Sequence, residues 1–477
     1  MRGVVAAGHP LTAQAGADAL LAGGNAVDAA LAGLMTSFAA EPLLTGLGAG
    51  GYLLVATPDG EDVLLDFFVE APGRGREHAG RKPLVAVDVS FGDANQIFHA
   101  GAASVGAYGM PAGICAAHRR FATLPLAELA AGAVRAARDG VVVNAHQAYL
   151  FEILTGIVGS TPEARATYEI DGRAAREGDV MAQPELADAL ERLAADGEAP
   201  FYTGDIAEAA CRWVGRRGGM LTARDLAAYS VAAREPVRVA YRGCEVVTNP
   251  PPSAGGILIA GTLEELDGEP GPPTLERLVA ALETAQRRRT PEFLERLGST
   301  THVSVIDADG WACSVTTSNG EGSGLVVPGT GLHLNNMMGE SDLSPLGFFT
   351  HPPGCRLPSM MSPTVVRRDG EVSVALGSAG SNRIRSAILQ VISRVVDEGL
   401  DAQAAIDAPR VHWEDGIVYC EPGIDADAME AEGRRVARFR AHNLFFGGAQ
   451  CVTRAPDGTL AGGGDPRRGG VAVSVEG

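Results

Sequence analysis

The sequence predicts an α+β fold in which helices pack against antiparallel sheets. Three observations carry that prediction. Strand and helix patterns do not alternate as regular βαβ units, so a doubly wound parallel sheet is not indicated. Strand patterns come in adjacent pairs separated by short turns. Beyond residue 300 the chain becomes strand-rich, with one long helix from about Ser386 to Gly399.

Taken in order, the N-terminal segment Met1–Pro10 begins directly as a strand. Pro10–Leu21 is an Ala-rich helical segment stopped by Gly23-Gly24, and Asn25 is placed to cap a second helix, Ala26 to Phe38. Tyr52–Ala56 and Val63–Asp66 flank Pro58-Asp59-Gly60 and predict a hairpin. Helical patterns follow at Leu124–Asp139 and Gln183–Asp196. Val237–Tyr241 and Cys244–Val247 read as paired strands about Arg242-Gly243. The rigid turn Pro250–Gly256 leads into another helix, and the polar, Pro-bearing stretch from Glu264 to Arg289 is the best linker candidate. Val303–Asp307 and Ala312–Thr317 then form a strand pair about Ala308-Asp309-Gly310.

Bulk properties narrow the function classes. The 477 residues can bury a large core, and 46% hydrophobic against 20% charged residues is a globular balance. A net charge of −19 repels nucleic acid and anionic membrane, so neither is an expected partner. Met1–Pro10 shows no signal-peptide apolar core, and the run Ala29–Ala40 is too short to span a bilayer; a cytoplasmic location is expected. Seven scattered cysteines read as reduced thiols, and no His or Cys spacing predicts a metal. No cofactor is expected either. Gly46-Leu47-Gly48-Ala49-Gly50-Gly51, with Asp66 beyond it, matches a dinucleotide fingerprint on paper. That fingerprint needs a strand before and a helix after, and here the order is inverted. The glycines are better read as a place where backbones approach closely.

Thr300-Thr301-His302 carries the chemistry. A threonine that opens a buried strand after a polar segment can become an N-terminal nucleophile if the Ser299–Thr300 bond is cut. Its freed α-amine, with an ordinary pKa of about 7.7–8.0, then serves as base to its own hydroxyl. On the tripeptide alone, an ordinary Thr-rich strand start explains the residues as well.

Ordered landmarks tip the balance. Gly23–Ala30, Gly46–Gly51, Pro250–Gly256, Ala408-Pro409-Arg410, Glu421-Pro422-Gly423 and Asp465–Gly470 together resemble the γ-glutamyltranspeptidase family over nearly the whole chain. The resemblance implies a four-layer αββα Ntn-hydrolase sandwich, cut autocatalytically into a large fragment, 1–299, and a small one, 300–477, with a linker at about 264–298. The fragments would stay together as a heterodimer, and pairing into a dimer of heterodimers is left open. Thr300 would attack an acyl group. Thr317, with Thr316 as the alternative alignment, would hydrogen-bond the nucleophile, and Asn319 would follow as a polar ligand. The backbone N–H groups of Gly380 and Ser381 would form the oxyanion hole, with Ser381 standing where the family usually has a second glycine.

The match fails at substrate recognition. Phe68 occupies the place of the family's carboxylate-binding arginine, in Asp66-Phe67-Phe68-Val69-Glu70. Ser359-Met360 replaces a pair of serines, and Met337 replaces a Gln or Glu, while Glu340 stands in for the aspartate that holds an amino group. Phe68, Met337 and Met360 would line an apolar, adaptable pocket; alternatively Arg74 or Arg356 reaches the site from another segment. The expected activity is therefore acyl hydrolysis or transfer on a small non-glutamyl amide or carbonyl substrate. Within the family that includes oxamate or cephalosporin side chains and carbon–carbon hydrolysis in alkylproline antibiotic pathways. A genuine glutathione-using γ-glutamyltransferase and an unprocessed, non-catalytic scaffold are the alternatives, and a nicotinamide oxidoreductase is a distant one.

Overall fold

The computed structural model describes residues 1–76, 81–90, 95–287, 300–340, 343 and 347–477. Among these, two antiparallel sheets dominate. The first has seven strands, in the order 232–234, 62–67, 50–56, 312–318, 301–307, 3–7 and 471–475. The second has six, in the order 237–241, 244–248, 364–368, 371–379, 448–454 and 460–464. Each sheet combines strands from before and after Thr300, so neither part of the chain completes a sheet alone.

The layering follows from side-chain parity. On Thr301–Asp307, Val303 and Val305 join the core under the helices Pro10–Leu21 and Ala26–Ala40. Ile306 joins the core shared with the second sheet, beside Val4, Ala6, Tyr52 and Leu54. Helices Ala254–Asp267 and Arg383–Asp397 cover the far side of the second sheet, giving the αββα order. Ala26–Ala40 is buried at every position, which explains its apolar sequence all round. Asn25 caps its start, as the sequence suggested, and Asp28 completes a reciprocal capping box with it.

Most of the elements read from the sequence are present. The hairpin pairs Val55 with Val63, and Val237–Tyr241 pairs with Cys244–Thr248. Glycine 48 bridges to Leu334, and a Cβ there would lie 2.3 Å from the His333 carbonyl, so close backbone approach, not phosphate binding, accounts for the glycines. The expected linker is the exception. Helix Ala254–Asp267 runs on through Glu264, and Leu275–Arg287 is a second helix whose Leu278, Val279 and Leu282 are buried. Pro270, Pro272 and Pro273 mark the turn between two packed helices. The remainder of that stretch, 288–299, including Ser299, lies outside the described residues.

Candidate active site

Thr300 is buried, at 1% exposure, immediately before an interior strand of the first sheet. Thr301 pairs with Thr317 and His302 with Thr316, so one further step of the register places Ser318 across from Thr300. The two sides of this ladder carry different hydrogen-bond chains. On the side facing the second sheet, Thr316 Oγ lies 2.8 Å from His302 Nδ1, and His302 Nε2 lies 2.8 Å from Ser304 Oγ. Ser304 Oγ donates across the sheets to the Gln450 carbonyl at 3.2 Å. Burial pushes His302 down to about 3, so the ring is neutral at ordinary pH.

On the helix side, Thr317 Oγ bonds Thr45 Oγ at 2.9 Å, and Thr301 Oγ donates to Glu41 Oε2 at 2.7 Å. Thr12 Oγ donates to the other carboxyl oxygen, Glu41 Oε1, at 3.0 Å. Glu41 is 1% exposed and is pushed up to about 7, first by burial; the Thr301 and Thr12 hydroxyls and the Arg468 charge pull the other way. Thr317 thus turns its hydroxyl to Thr45 on the helix face, while the alternative, Thr316, bonds His302 on the other.

The loop with Gly380 and Ser381, expected to form the oxyanion hole, follows strand Glu371–Ala379 and precedes helix Arg383–Asp397. Gly380 has φ +116, and a Cβ there would sit 2.5 Å from Gly447 Cα. Ser381 has φ +61, a left-handed conformation that disfavours a side chain by about 1–2 kcal/mol. The loop keeps a glycine-like backbone although serine has replaced glycine, and such outliers concentrate at functional sites. Gly380 and Ser381 line a narrow cavity with Glu321, Arg383, Arg468 and an apolar wall that includes Phe98 and Leu150.

Next to that cavity lies a buried amide–carboxylate cluster. Asn336 Nδ2 donates to Glu340 Oε1 at 2.8 Å and approaches Glu321 Oε2 at 3.3 Å. Asn319 is fully buried, and among the described residues neither atom of its side-chain amide has a hydrogen-bond partner. An unpaired buried amide is costly, and a ligand at this place would satisfy it. The Asn319 main-chain carbonyl accepts from Asn336 N at 3.2 Å, so Asn336 stands between Asn319 and the Glu321 and Glu340 carboxyls.

The apolar trio does not assemble. Phe68 stacks on Tyr52 at 5.6 Å and shares the inter-sheet core with Met337. Met360 packs elsewhere, with Ala254, Leu258 and Ala285 beneath the outer helices, because the Ser359 carbonyl is tied to Ser253 and Ala254. The Ser359 hydroxyl accepts from Met361 N at 3.0 Å. Neither alternative arginine is available as a clamp. Arg356 is held by the Phe68 carbonyl, the Tyr229 hydroxyl and the Ser230 carbonyl, with Asp66 and Glu70 at 3.5 and 3.6 Å. Arg74 is paired with Glu70 and bonded to the Asp225 carbonyl.

The family model described as gamma-glutamyltranspeptidase matches residues 12–295 and 276–475. The chain belongs to the gamma-glutamyltranspeptidase family. It is 32% identical, across 100% of its length and 94% of the relative's, to the acylase ACY 1 proenzyme of Pseudomonas sp. (strain SE83). It is 31% identical to the glutathione hydrolase proenzyme of Escherichia coli (strain K12), over 98% of this chain and 90% of that protein. The crystal structure of a cephalosporin acylase from Bacillus halodurans superposes with a TM-score of 0.85 at 28% identity, covering 100% of this chain and 96% of that one. The protein is thus an enzyme of the autoprocessing, threonine-nucleophile Ntn-hydrolase family, and its relatives are named as proenzymes.

Four residues near the candidate site of this γ-glutamyltranspeptidase-family chain are not picked out by the sequence motifs: Glu41, Glu321, Asn336 and Arg468. Glu41 had a usable signal, since it is the sole charged residue between Asp28 and Asp59. A lone carboxylate in thirty apolar and small residues must be paired, protonated or functional.

Proposed function

We propose that Thr300 is the N-terminal nucleophile of an amide-cleaving acyl hydrolase or transferase whose acyl group carries an amine. In processing, Thr300 Oγ attacks the Ser299 carbonyl, the acyl group moves from nitrogen to oxygen, and water splits the ester. That leaves a Ser299 carboxylate and a free Thr300 amine. In turnover the amine accepts the hydroxyl proton as Oγ attacks the substrate carbonyl. The developing oxyanion is met by the Gly380 and Ser381 N–H groups, an arrangement worth a few kcal/mol, about 2.7–4 for one donor. The leaving amine takes the proton, and water or an acceptor amine resolves the Thr300 ester.

The observation that carries the substrate reading is the buried Asn319–Asn336–Glu321–Glu340 cluster beside the oxyanion loop. Two carboxylates and an unpaired amide suit an ammonium group. The arginine that would hold a neighbouring carboxylate is replaced by Phe68, and Arg356 and Arg74 are occupied by acids of their own. The names of the relatives favour γ-glutamyl amides, which bear such an amine, as first substrates. Carbon–carbon cleavage has behind it only the loss of the arginine, which an amide substrate explains equally.

Three p-nitroanilides separate the parts. The γ-glutamyl compound has both amine and carboxylate, the 4-aminobutyryl compound only the amine, and the glutaryl compound only the carboxylate. Turnover of the 4-aminobutyryl anilide at least equal to the γ-glutamyl one is expected, with the glutaryl anilide poorest. Preference for the glutaryl anilide would sink the amine reading. A strong preference for γ-glutamyl over 4-aminobutyryl would show that a carboxylate clamp exists after all.

A further inference from the structure

A buried carboxyl group stands one residue from the nucleophile without a part in the chemistry above. We propose that Glu41 is a positioning residue for Thr300, acting through Thr301: it holds the strand start from the helix side and makes its placement depend on the proton Glu41 carries. The inference rests on Thr300 being the nucleophile.

Three features converge on Glu41. It caps the C-terminus of the fully buried helix Ala26–Ala40, its N–H donating to the Ser37 carbonyl at 2.7 Å. Its carboxyl oxygens are each engaged by one hydroxyl, Thr301 at 2.7 Å and Thr12 at 3.0 Å, from two different elements. The helix and the strand it joins are 260 residues apart in sequence, so the bond is a tertiary clamp and not a local turn. An apolar side chain of the same size would fill this space with less penalty than a buried acid, so a purely packing role does not explain the residue.

The electrostatics make the clamp responsive. Burial raises the carboxyl to about 7, and the negative end of its own helix acts in the same direction. The charged group facing it is Arg468, which favours ionisation and also lines the cavity with Gly380 and Ser381. From the strand, Thr301 offers a hydroxyl and the neighbouring His302 is neutral; from the first helix, Thr12 offers a hydroxyl, and His9 at its cap is held down to about 4. Ionised Glu41 accepts from both threonines. Protonated, it must give its own proton to one of them, which turns that hydroxyl round. Thr301 is the covalent neighbour of Thr300, so the change reaches the nucleophile directly.

The test uses p-nitrophenyl acetate, an activated ester that needs no acyl-specific pocket, on the processed enzyme, with the uncut Thr300→Ala chain as the control. Burst acylation is followed from pH 5 to 9 for wild type, Thr300→Ala, Glu41→Gln, Glu41→Asp and Thr301→Val. The expected result is a Thr300-dependent burst that slows at least tenfold in Glu41→Gln and Thr301→Val. Both variants should lose the inflection at about 7 that belongs to Glu41 and keep that of the Thr300 amine at about 8, and Glu41→Asp should restore the lower one in part. A burst in Glu41→Gln with the wild-type rate and inflection overturns the Glu41 inference and leaves Thr300 untouched. A burst that survives Thr300→Ala overturns the nucleophile reading itself, and Glu41 falls with it. Where Glu41→Gln fails to process or fold, Thr301→Val alone decides between the same two results.

Discussion

The two faces of the strand that begins at Thr301 make an instructive pair. Facing the second sheet, a hydrogen-bonded chain runs from Thr316 through His302 and Ser304 to the Gln450 carbonyl. Facing the helices, Thr301 and Thr12 meet on Glu41. Both chains end within a residue or two of Thr300, and both contain a titratable group removed from water. Burial disfavours charge in each case, but it acts on opposite charge types. The imidazole is driven down to about 3 and stays neutral wherever an enzyme works, whereas the carboxyl is driven up to about 7 and changes state there. One face is fixed, and the other responds to protons.

The largest expected effect comes from removing what both faces hold. Thr300→Ala leaves each hydrogen-bond chain intact but deletes the hydroxyl, so acylation should fall by about 10³-fold or more, and denaturing gels should show one uncut chain of 49.2 kDa. Two fragments in that variant would mean that processing does not need Thr300.

The single-chain Thr300→Ala background then allows the faces to be compared by denaturation at different pH. His302 in the unfolded chain takes a proton near its ordinary 6.5, but in the folded chain only near 3. Its contribution is complete above pH 6.5 and is lost as pH falls from 6.5 towards 3, by at most about 5 kcal/mol. His302→Gln should flatten that acid limb, and it should also lower stability above pH 7 by about 1–3 kcal/mol through the imperfectly satisfied Thr316 and Ser304 hydroxyls. Glu41 gives the opposite slope. Its folded value lies above its ordinary 4.5, so its contribution is complete below pH 4.5 and is lost as pH rises from 4.5 through 7, by about 3 kcal/mol. Glu41→Gln should remove that decline. Parallel curves for the two variants would erase the distinction between the faces.

The sequence disclosed these parts unequally. The strand pair, the helices and the place of Thr300 were legible because each rests on local pattern: β-alternation, a capping Asn25, a turn at Ala308-Asp309-Gly310. The helix Leu275–Arg287 was hidden because Pro270, Pro272 and Pro273 next to it imitate a linker, and its apolar stripe is narrow. Met360 was assigned to the pocket by its position in a motif, and only the tie of its neighbour Ser359 to Ser253 shows that it points under the helices. Glu41 could not be read as part of the site, since its partners lie 29 and 260 residues away and no spacing rule spans that distance. Its isolation among apolar residues was the trace it left.

The smallest effect expected is also the sharpest probe of the responsive face. Arg468 favours ionised Glu41, and it is itself held down to about 10, chiefly by burial and by the like charge of Arg383. Arg468→Gln removes that help without touching either threonine. The Glu41 carboxyl should then move up, by less than about one pH unit for a single charge that is not in contact. The inflection of Thr300 acylation should follow it upward, with the limiting rate at high pH nearly kept. The His302 limb of the stability curve should not move, because the sheet-facing chain contains none of the residues altered. An inflection that stays in place would mean that Arg468 serves the cavity alone and that the proton held by Glu41 is set by its helix and its burial.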